Sequence, residues 1–246
     1  MSTVQKLYEG KAKIIYPTDD PEVLLADYKD DATAFNAQKR GTILGKGEIN
    51  CQISSHLFQQ LEQQGVPTHY LDCPSPNQMR IKRVTILPIE VIVRNIAAGS
   101  LCKQTGLAVG TLIAPPLVEF CYKNDDLGDP LLTRDRLLLL KLATPQQLEQ
   151  IQTLALQINQ ILQDFFNQCG ITLVDFKVEF GLTADQQIIL ADEISPDTCR
   201  LWNQAETDPQ QRVMDKDRFR QDLGNVESAY QQVLERVLAQ TSVSEN

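Results

Sequence analysis

A chain of 246 residues with 42% apolar and 22% charged residues is large enough, and ordinary enough in composition, to fold around a substantial core. Its formal net charge of −9 argues against a nucleic-acid partner, which requires a basic face, but leaves room for small anions held by local groups of Lys and Arg. No apolar run has the length of a membrane helix and no signal-peptide centre opens the chain, so a cytoplasmic protein without membrane contact is expected; six scattered cysteines without a C-x-x-C pair argue for reduced thiols and against zinc.

From Lys6 to Tyr16 the pattern reads strand, glycine turn, strand, with Lys11 and Lys13 pointing to one side of an extended segment. Such a pair suits a polyphosphate lid, and equally suits a surface turn. A strand region follows from Val23 to Phe35. The glycine-rich Lys39–Asn50 stretch is not a P-loop, because Gly41 and Gly45 enclose three residues and Gly47, not Ser or Thr, follows Lys46. Ile49, Ile53, Leu57 and Leu61 repeat every four residues, which predicts an amphipathic helix ending at Gly65.

Pro67 to Pro76 reads as a loop. Met79–Ile86 and Ile89–Ile96 read as two strands rich in β-branched residues and broken at Pro88, which places a domain boundary near residue 85 and divides the chain into 1–85 and 86–246. Arg94, at the end of the second strand, precedes Ala97-Ala98-Gly99-Ser100, where small residues and a hydroxyl allow an anion to come close. Gly106–Pro116 reads as a loop, followed by a polar run containing Glu119, Lys123, Asp125, Asp126 and Asp129. A long helix is predicted from Pro145 to Cys169, with Thr144 as its cap and Gly170 closing it.

Ile171–Phe180 alternates, so Asp175, Lys177 and Glu179 share one face of a strand. The apolar run Ile188–Ile194 returns as its hairpin partner and brings Asp192 near Glu179. Two close carboxylates repel, and a divalent cation shared with nucleotide phosphates is the usual remedy. The competing reading is the solvated face of an antiparallel sheet; Glu193, Ser195, Asp197 and Arg200 close behind are more polar equipment than that face needs. The charge run Met214–Arg220 reads as a solvated helical face, Val226–Leu238 as a final helix, and Thr241–Asn246 as a fraying end.

Five stretches together, L-Y-E-G-K-A-K, P-I-E-V-I-V-R-N-I-A-A-G-S, L-V-D-F-K-V-E-F-G, D-E-I-S-P-D-T-C-R-L-W and M-D-K-D-R-F-R, resemble the SAICAR synthetase family of purine biosynthesis, in that family's order and from about Lys6 to Leu238. The resemblance implies an α+β, two-domain fold, with a β-rich N-terminal lid over a larger domain and a nucleotide cleft of kinase-like or ATP-grasp-like layout. It also implies a carbon–nitrogen ligase that joins L-aspartate to carboxyaminoimidazole ribotide through an acyl phosphate, with ATP as co-substrate and Mg²⁺ as cofactor. A homodimer is compatible with it.

Carried over by position, the resemblance implies that Lys11, Ala12, Lys13, Lys82, Val84, Ile86 and Lys123 bind ATP, and that Glu179 and Asp192 hold the metal. Glu90, Arg94, Ser100, Lys177, Asp197 and Arg200 would bind the ribotide, with Lys177, Asp175 and Asp129 as catalytic groups. Asn203 stands where the family commonly has Asp, which predicts a looser loop near Arg200. A small-molecule kinase could use the same lid, lysines and metal carboxylates; a nucleotide sensor would have no need of Arg94, Ser100 and Arg200.

Overall fold

The structure is a computed structural model and describes residues 5–34 and 38–244. Strands β1 (Tyr8–Glu9), β2 (Lys13–Pro17) and β3 (Val23–Tyr28) open the chain, followed by a two-stranded ribbon of β4 (Asp31–Ala34) and β5 (Lys39–Thr42). Helix α1 (Lys46–Gln63) leads to β6 (Tyr70–Ser75) and β7 (Gln78–Lys82). The expected loop at Pro67–Pro76 is therefore mostly strand. Register shifts on both sides of Asp72 let β6 carry Pro74 at the rim of the sheet β1-β2-β3-β7-β6.

The next strand, β8 (Thr85–Ile96), starts three residues after β7 ends and belongs to a different sheet. Pro88 lies inside it and does not divide it as predicted. Opposite Pro88 the ladder to the strand Ile171–Leu182 skips, passing from Glu179↔Glu90 to Gly181↔Ile86, so the missing N–H of proline is not needed there. After α2 (Gly99–Thr105), β9 (Leu112–Tyr122) replaces the rest of the loop expected over Gly106–Pro116, because Ile89 to Arg94 of β8 pair continuously with Tyr122 to Leu117. Strand β10 (Leu131–Leu132) and α3 (Arg134–Leu139) follow.

Helix α4 (Pro145–Gln168) forms as the sequence predicts. The Thr144 hydroxyl accepts from the Gln147 N–H, the Gln147 side chain accepts in return from the Thr144 N–H, and Gly170 takes the left-handed conformation after its end. Its stripe of Leu148, Ile151, Ile158, Leu162 and Phe166 is buried against the sheet, each side chain contributing about 1.5–3 kcal/mol. Asn95 and Asn159 exchange side-chain bonds of 2.8 and 2.9 Å, pinning α4 to the strand behind Arg94.

Strand β11 (Ile171–Leu182) lies at the centre of the second sheet, β10-β9-β8-β11-β12, with β12 (Ile188–Ala191) on one half of its free edge and β13 (Cys199–Asn203) on the other. Helices α5 (Asp217–Arg220) and α6 (Val226–Ser244) close the fold. Helix continues through Thr241 to Ser244, part of the stretch expected to fray; Glu245 and Asn246 lie outside the described residues. Among the described residues no helix is long and apolar enough to cross a membrane.

The glycine-rich turn before α1 uses its N–H groups on a carboxylate. Asp30 accepts from Gly45 N–H at 3.0 Å and from Gly47 N–H at 2.8 Å. A side chain at position 47 would meet the Tyr28 carbonyl at 2.6 Å, so glycine here seats the helix start directly on β3.

Candidate active site

Between the two sheets lies a cavity of about 720 Å³, and all the residues assigned to ATP, ribotide, metal or catalysis from the sequence line it. Strand β11 supplies its floor. Asp175 and Glu179 are buried, so their face is not the solvated side of a sheet. Lysine carboxylate pairs occupy one end of the cavity and arginine carboxylate pairs the other.

At the lysine end, Lys177 Nζ lies 2.8 Å from Glu90, 2.9 Å from Glu179 and 3.7 Å from Asp192. Lys13 Nζ reaches Asp192 at 2.5 Å and Glu193 at 3.1 Å, while Lys123 pairs with Glu179. Burial alone would lower the affinity of Lys13 and Lys177 for a proton, but the surrounding carboxylates outweigh it and raise both well above the ordinary lysine value. Burial opposes ionisation of Asp192 too, and the charges of Lys13, Lys177 and Lys123 overcome it, holding that carboxyl below its usual range.

Asp192 itself sits at φ 64°, in the left-handed region that Asp and Asn enter more readily than other non-glycine residues. The hairpin predicted from the sequence forms, but its second strand ends at Ala191, which faces Glu179, and Asp192 follows just beyond the strand. His69 lines the cavity beside them and is kept neutral by burial and by Lys13, its pKa lowered to about 3. Lys11 reaches outward to Asp125 at 2.5 Å.

At the arginine end, Arg94 donates to Asp175 at 3.1 Å and to Ser100 Oγ at 3.1 Å, and pairs through Nε with Glu119. Arg200 donates to both oxygens of Asp175, at 3.1 and 2.8 Å, and to Asp217 at 2.8 Å. Both side chains are held as flat forks. Gly99, at φ 55°, makes room for Arg200: a Cβ there would stand 2.3 Å from its Nη2.

Asp197 lies beneath this end, accepting from Lys46 at 3.0 Å, Tyr230 at 2.8 Å and Lys216 at 3.3 Å. Asp129 lines the cavity, but one of its oxygens accepts from the Asn124 N–H at 2.8 Å and so shapes its own loop. Lys82, Val84 and Ile86 form the wall where the chain passes from one sheet to the other.

The Met214–Arg220 run is not the solvated face expected from its charges. Asp215, Asp217 and Arg218 are buried, and Lys216 and Arg220 line the cavity. The charges neutralise one another or cap main-chain groups: Arg220 pairs with Asp217 at 2.6 Å, and Arg218 donates to the carbonyls of Val213 and Gly224 at 3.0 and 2.7 Å. Lys216 and Arg220 are cavity residues that the sequence reading left out. Their signal was the absence of the apolar stripe that a surface helix needs. Asn203, expected to loosen its loop, still accepts from Arg236 at 3.2 Å through its amide oxygen.

The SAICAR synthetase family profile matches residues 6–237. This chain belongs to the SAICAR synthetase family. Phosphoribosylaminoimidazole-succinocarboxamide synthase of Trichormus variabilis is 72% identical over 243 residues, covering 99% of both chains. The protein of the same name from Trichodesmium erythraeum is 72% identical over 239 residues, covering 97% of this chain and 99% of its own. Among solved structures, phosphoribosylaminoimidazole-succinocarboxamide synthase from Ehrlichia chaffeensis superposes with a TM-score of 0.91 at 44% identity, covering 96% of this chain and 99% of that one. A SAICAR synthetase in complex with ADP superposes with a TM-score of 0.90 at 42% identity, covering 95% and 97%. The α+β fold expected from the sequence is thus the fold of the family.

A divalent cation implied by SAICAR synthetase membership can be weighed against the lysine end. Among the described residues, no group of three or more His, Cys, Asp or Glu gathers with the spacing of a metal cage. Glu179 and Asp192 do converge on one ammonium, that of Lys177, and offer hard oxygen donors. Two carboxylates with the remaining positions left to phosphate oxygens and water is the donor set that suits Mg²⁺ bound together with a nucleotide.

Proposed function

We propose that this chain is an ATP-dependent carbon–nitrogen ligase of purine biosynthesis. It joins L-aspartate to the carboxylate of carboxyaminoimidazole ribotide and releases ADP and phosphate. The observation that carries the reading is that the lysine cluster and the arginine pair face one another across a single cavity, so a polyphosphate and a phosphorylated acceptor can be held together.

Residues 1–85 form the lid in this reading. Lys11 and Lys13 approach the phosphates from β2 and the turn before it, and Lys82, Val84 and Ile86 provide the wall for the adenine, with Ala12 and Lys123 at its borders. Arg94, Ser100 and Arg200 take the ribotide phosphate, with Lys216 and Arg220 adding positive charge. Asp175, locked between the two arginines, turns an oxygen to the imidazole amine, and Glu90, Asp129 and Asp197 line the acceptor's path.

A carboxylate does not accept an amine at neutral pH, because its charge repels the nucleophile and oxide is a poor leaving group. Transfer of the γ-phosphoryl to the acceptor carboxylate makes an acyl phosphate; the aspartate amine then attacks that carbonyl and phosphate departs. Lys177 neutralises the reacting carboxylate and keeps its proton throughout, because the acids around it hold it charged. Mg²⁺ held by Glu179 and Asp192 would supply charge neutralisation at the phosphates. Without it, Lys13 and Lys177 are the cations that neutralise these two carboxylates.

A phosphate-release assay with the carboxylated ribotide tests this reading. Phosphate and the succinocarboxamide product should form together and only with aspartate present. ADP formation on a sugar alcohol, with no requirement for aspartate, would instead assign a kinase.

A further inference from the structure

Helix α1 and the edge strand β6 bring together two thiols that do not line the cavity. Cys51 Sγ, fully buried on α1, lies 3.9 Å from Cys73 Sγ, which is half-buried on β6. The contact is framed by further bonds between the same elements: Ser55 Oγ donates to the Tyr70 hydroxyl at 2.8 Å and Gln59 Nε2 donates to it at 3.1 Å. We propose that Cys51 and Cys73 are a site of reversible disulfide formation, open to small disulfide oxidants through Cys73, that ties α1 to the outer edge of the first sheet.

Sulfur atoms in van der Waals contact need close only to about 2 Å to bond. The register of β6 shifts on either side of Asp72, so Cys73 has no partner in the β6–β7 ladder to hold it. The two thiols also differ in the way exchange requires. The contact with Cys51 brings the Cys73 thiol down to about 7, while the same contact and its own burial push Cys51 up. Cys73 as thiolate attacks one sulfur of an oxidant such as glutathione disulfide and expels one glutathione thiolate. Cys51 then loses its proton and attacks Cys73 Sγ, expelling the second glutathione. Two protein thiols are oxidised and one glutathione disulfide is reduced to two thiols.

The bond would join parts that meet at the back of the cavity. Helix α1 is fastened to the second sheet's surroundings by Lys46 on Asp197 and by Ser54, which donates to the Ile194 carbonyl at 3.0 Å. A covalent link from α1 to β6 therefore restrains the first sheet relative to the floor that carries Glu179 and Asp192.

The test is to incubate the purified protein with glutathione disulfide, alkylate the remaining thiols and map the peptides. A Cys51–Cys73 peptide, loss of two of the six free thiols and recovery on reduction are expected. Cys51→Ala should stop at a glutathione adduct on Cys73. A wild-type protein that keeps that adduct with Cys51 alkylated, or in which other cysteines oxidise while this pair stays reduced, would overturn the site. The kinetic arm rests on the nucleotide reading of the cavity. The cross-linked protein should show an apparent KM for ATP raised about fivefold and restored by reductant. A complete cross-link with unchanged ATP kinetics would overturn the restraint, whereas failure of the reduced protein to use ATP would overturn the nucleotide reading and leave the thiol chemistry standing.

Discussion

The two ends of the cavity both neutralise carboxylates with cations, yet they are built for different tasks. At one end Lys13, Lys123 and Lys177 meet Glu179 and Asp192 as point charges on flexible stems; at the other, Arg94 and Arg200 clasp Asp175 with planar forks fixed by Ser100 and Asp217. Ammonium groups can release a carboxylate to a stronger cation and turn to phosphate. The guanidinium groups are tied at several nitrogens at once, Arg94 to Asp175, Glu119 and Ser100 and Arg200 to Asp175 and Asp217. In the proposed reading one end exchanges partners and the other holds its shape.

The strongest way to break this contrast is at the exchanging end. Glu179→Ala or Asp192→Ala should lower turnover about a hundredfold and weaken metal–nucleotide binding while thermal unfolding stays cooperative. Near-normal Mg-ATP kinetics in either variant would remove the metal assignment. At the rigid end, Arg94→Ala should raise the apparent KM for the ribotide about tenfold to a hundredfold and spare that for ATP, because charge-assisted bonds to the acceptor are lost. Arg94→Lys should recover little, since a point charge cannot replace the fork; full recovery would erase the distinction between the ends.

A third variant examines what keeps the rigid end rigid. Lys46 is 1% exposed and pairs with Asp197 beneath it, so Lys46→Met should cost about 3 kcal/mol in denaturant unfolding by leaving a buried carboxylate short of charge. A loss near zero would mean that Lys216 and Tyr230 suffice.

The smallest effect is a pH signature. Asp215, buried and facing Asp217, has its pKa raised to about 7. Its folded value lies above its unfolded one, so the folded state holds the proton more tightly. This group's contribution to stability is complete below about pH 4 and is lost as pH rises toward 7. Unfolding midpoints measured at pH 5 and pH 8 should therefore differ less in Asp215→Asn than in wild type. An unchanged difference would show that Asp215 is not the titrating group.

Much of the cavity was legible because its floor is a single strand with a strict period. Alternation over β11 places Asp175, Lys177 and Glu179 together; the following turn sets Ala191 opposite Glu179, and the left-handed backbone of Asp192 just beyond it could not be read from the alternation. The rest depended on distant pairing. Pro88 reads as a break only until the skipped ladder opposite it is seen, and the Gly and Pro residues around β9 disguise a strand that β8 imposes. Met214–Arg220 looked like a wet surface because composition does not reveal that Asp217 answers Arg200 and Arg220 across the fold. Position 73 carried no signal at all, since its partner is twenty-two residues away on another element.

The emptiness at Gly99 has a further meaning for anyone reshaping this pocket. Even a methyl at that position would meet three atoms of the Arg200 guanidinium within 2.9 Å and force the group aside, and the backbone at φ 55° would resist the added carbon as well.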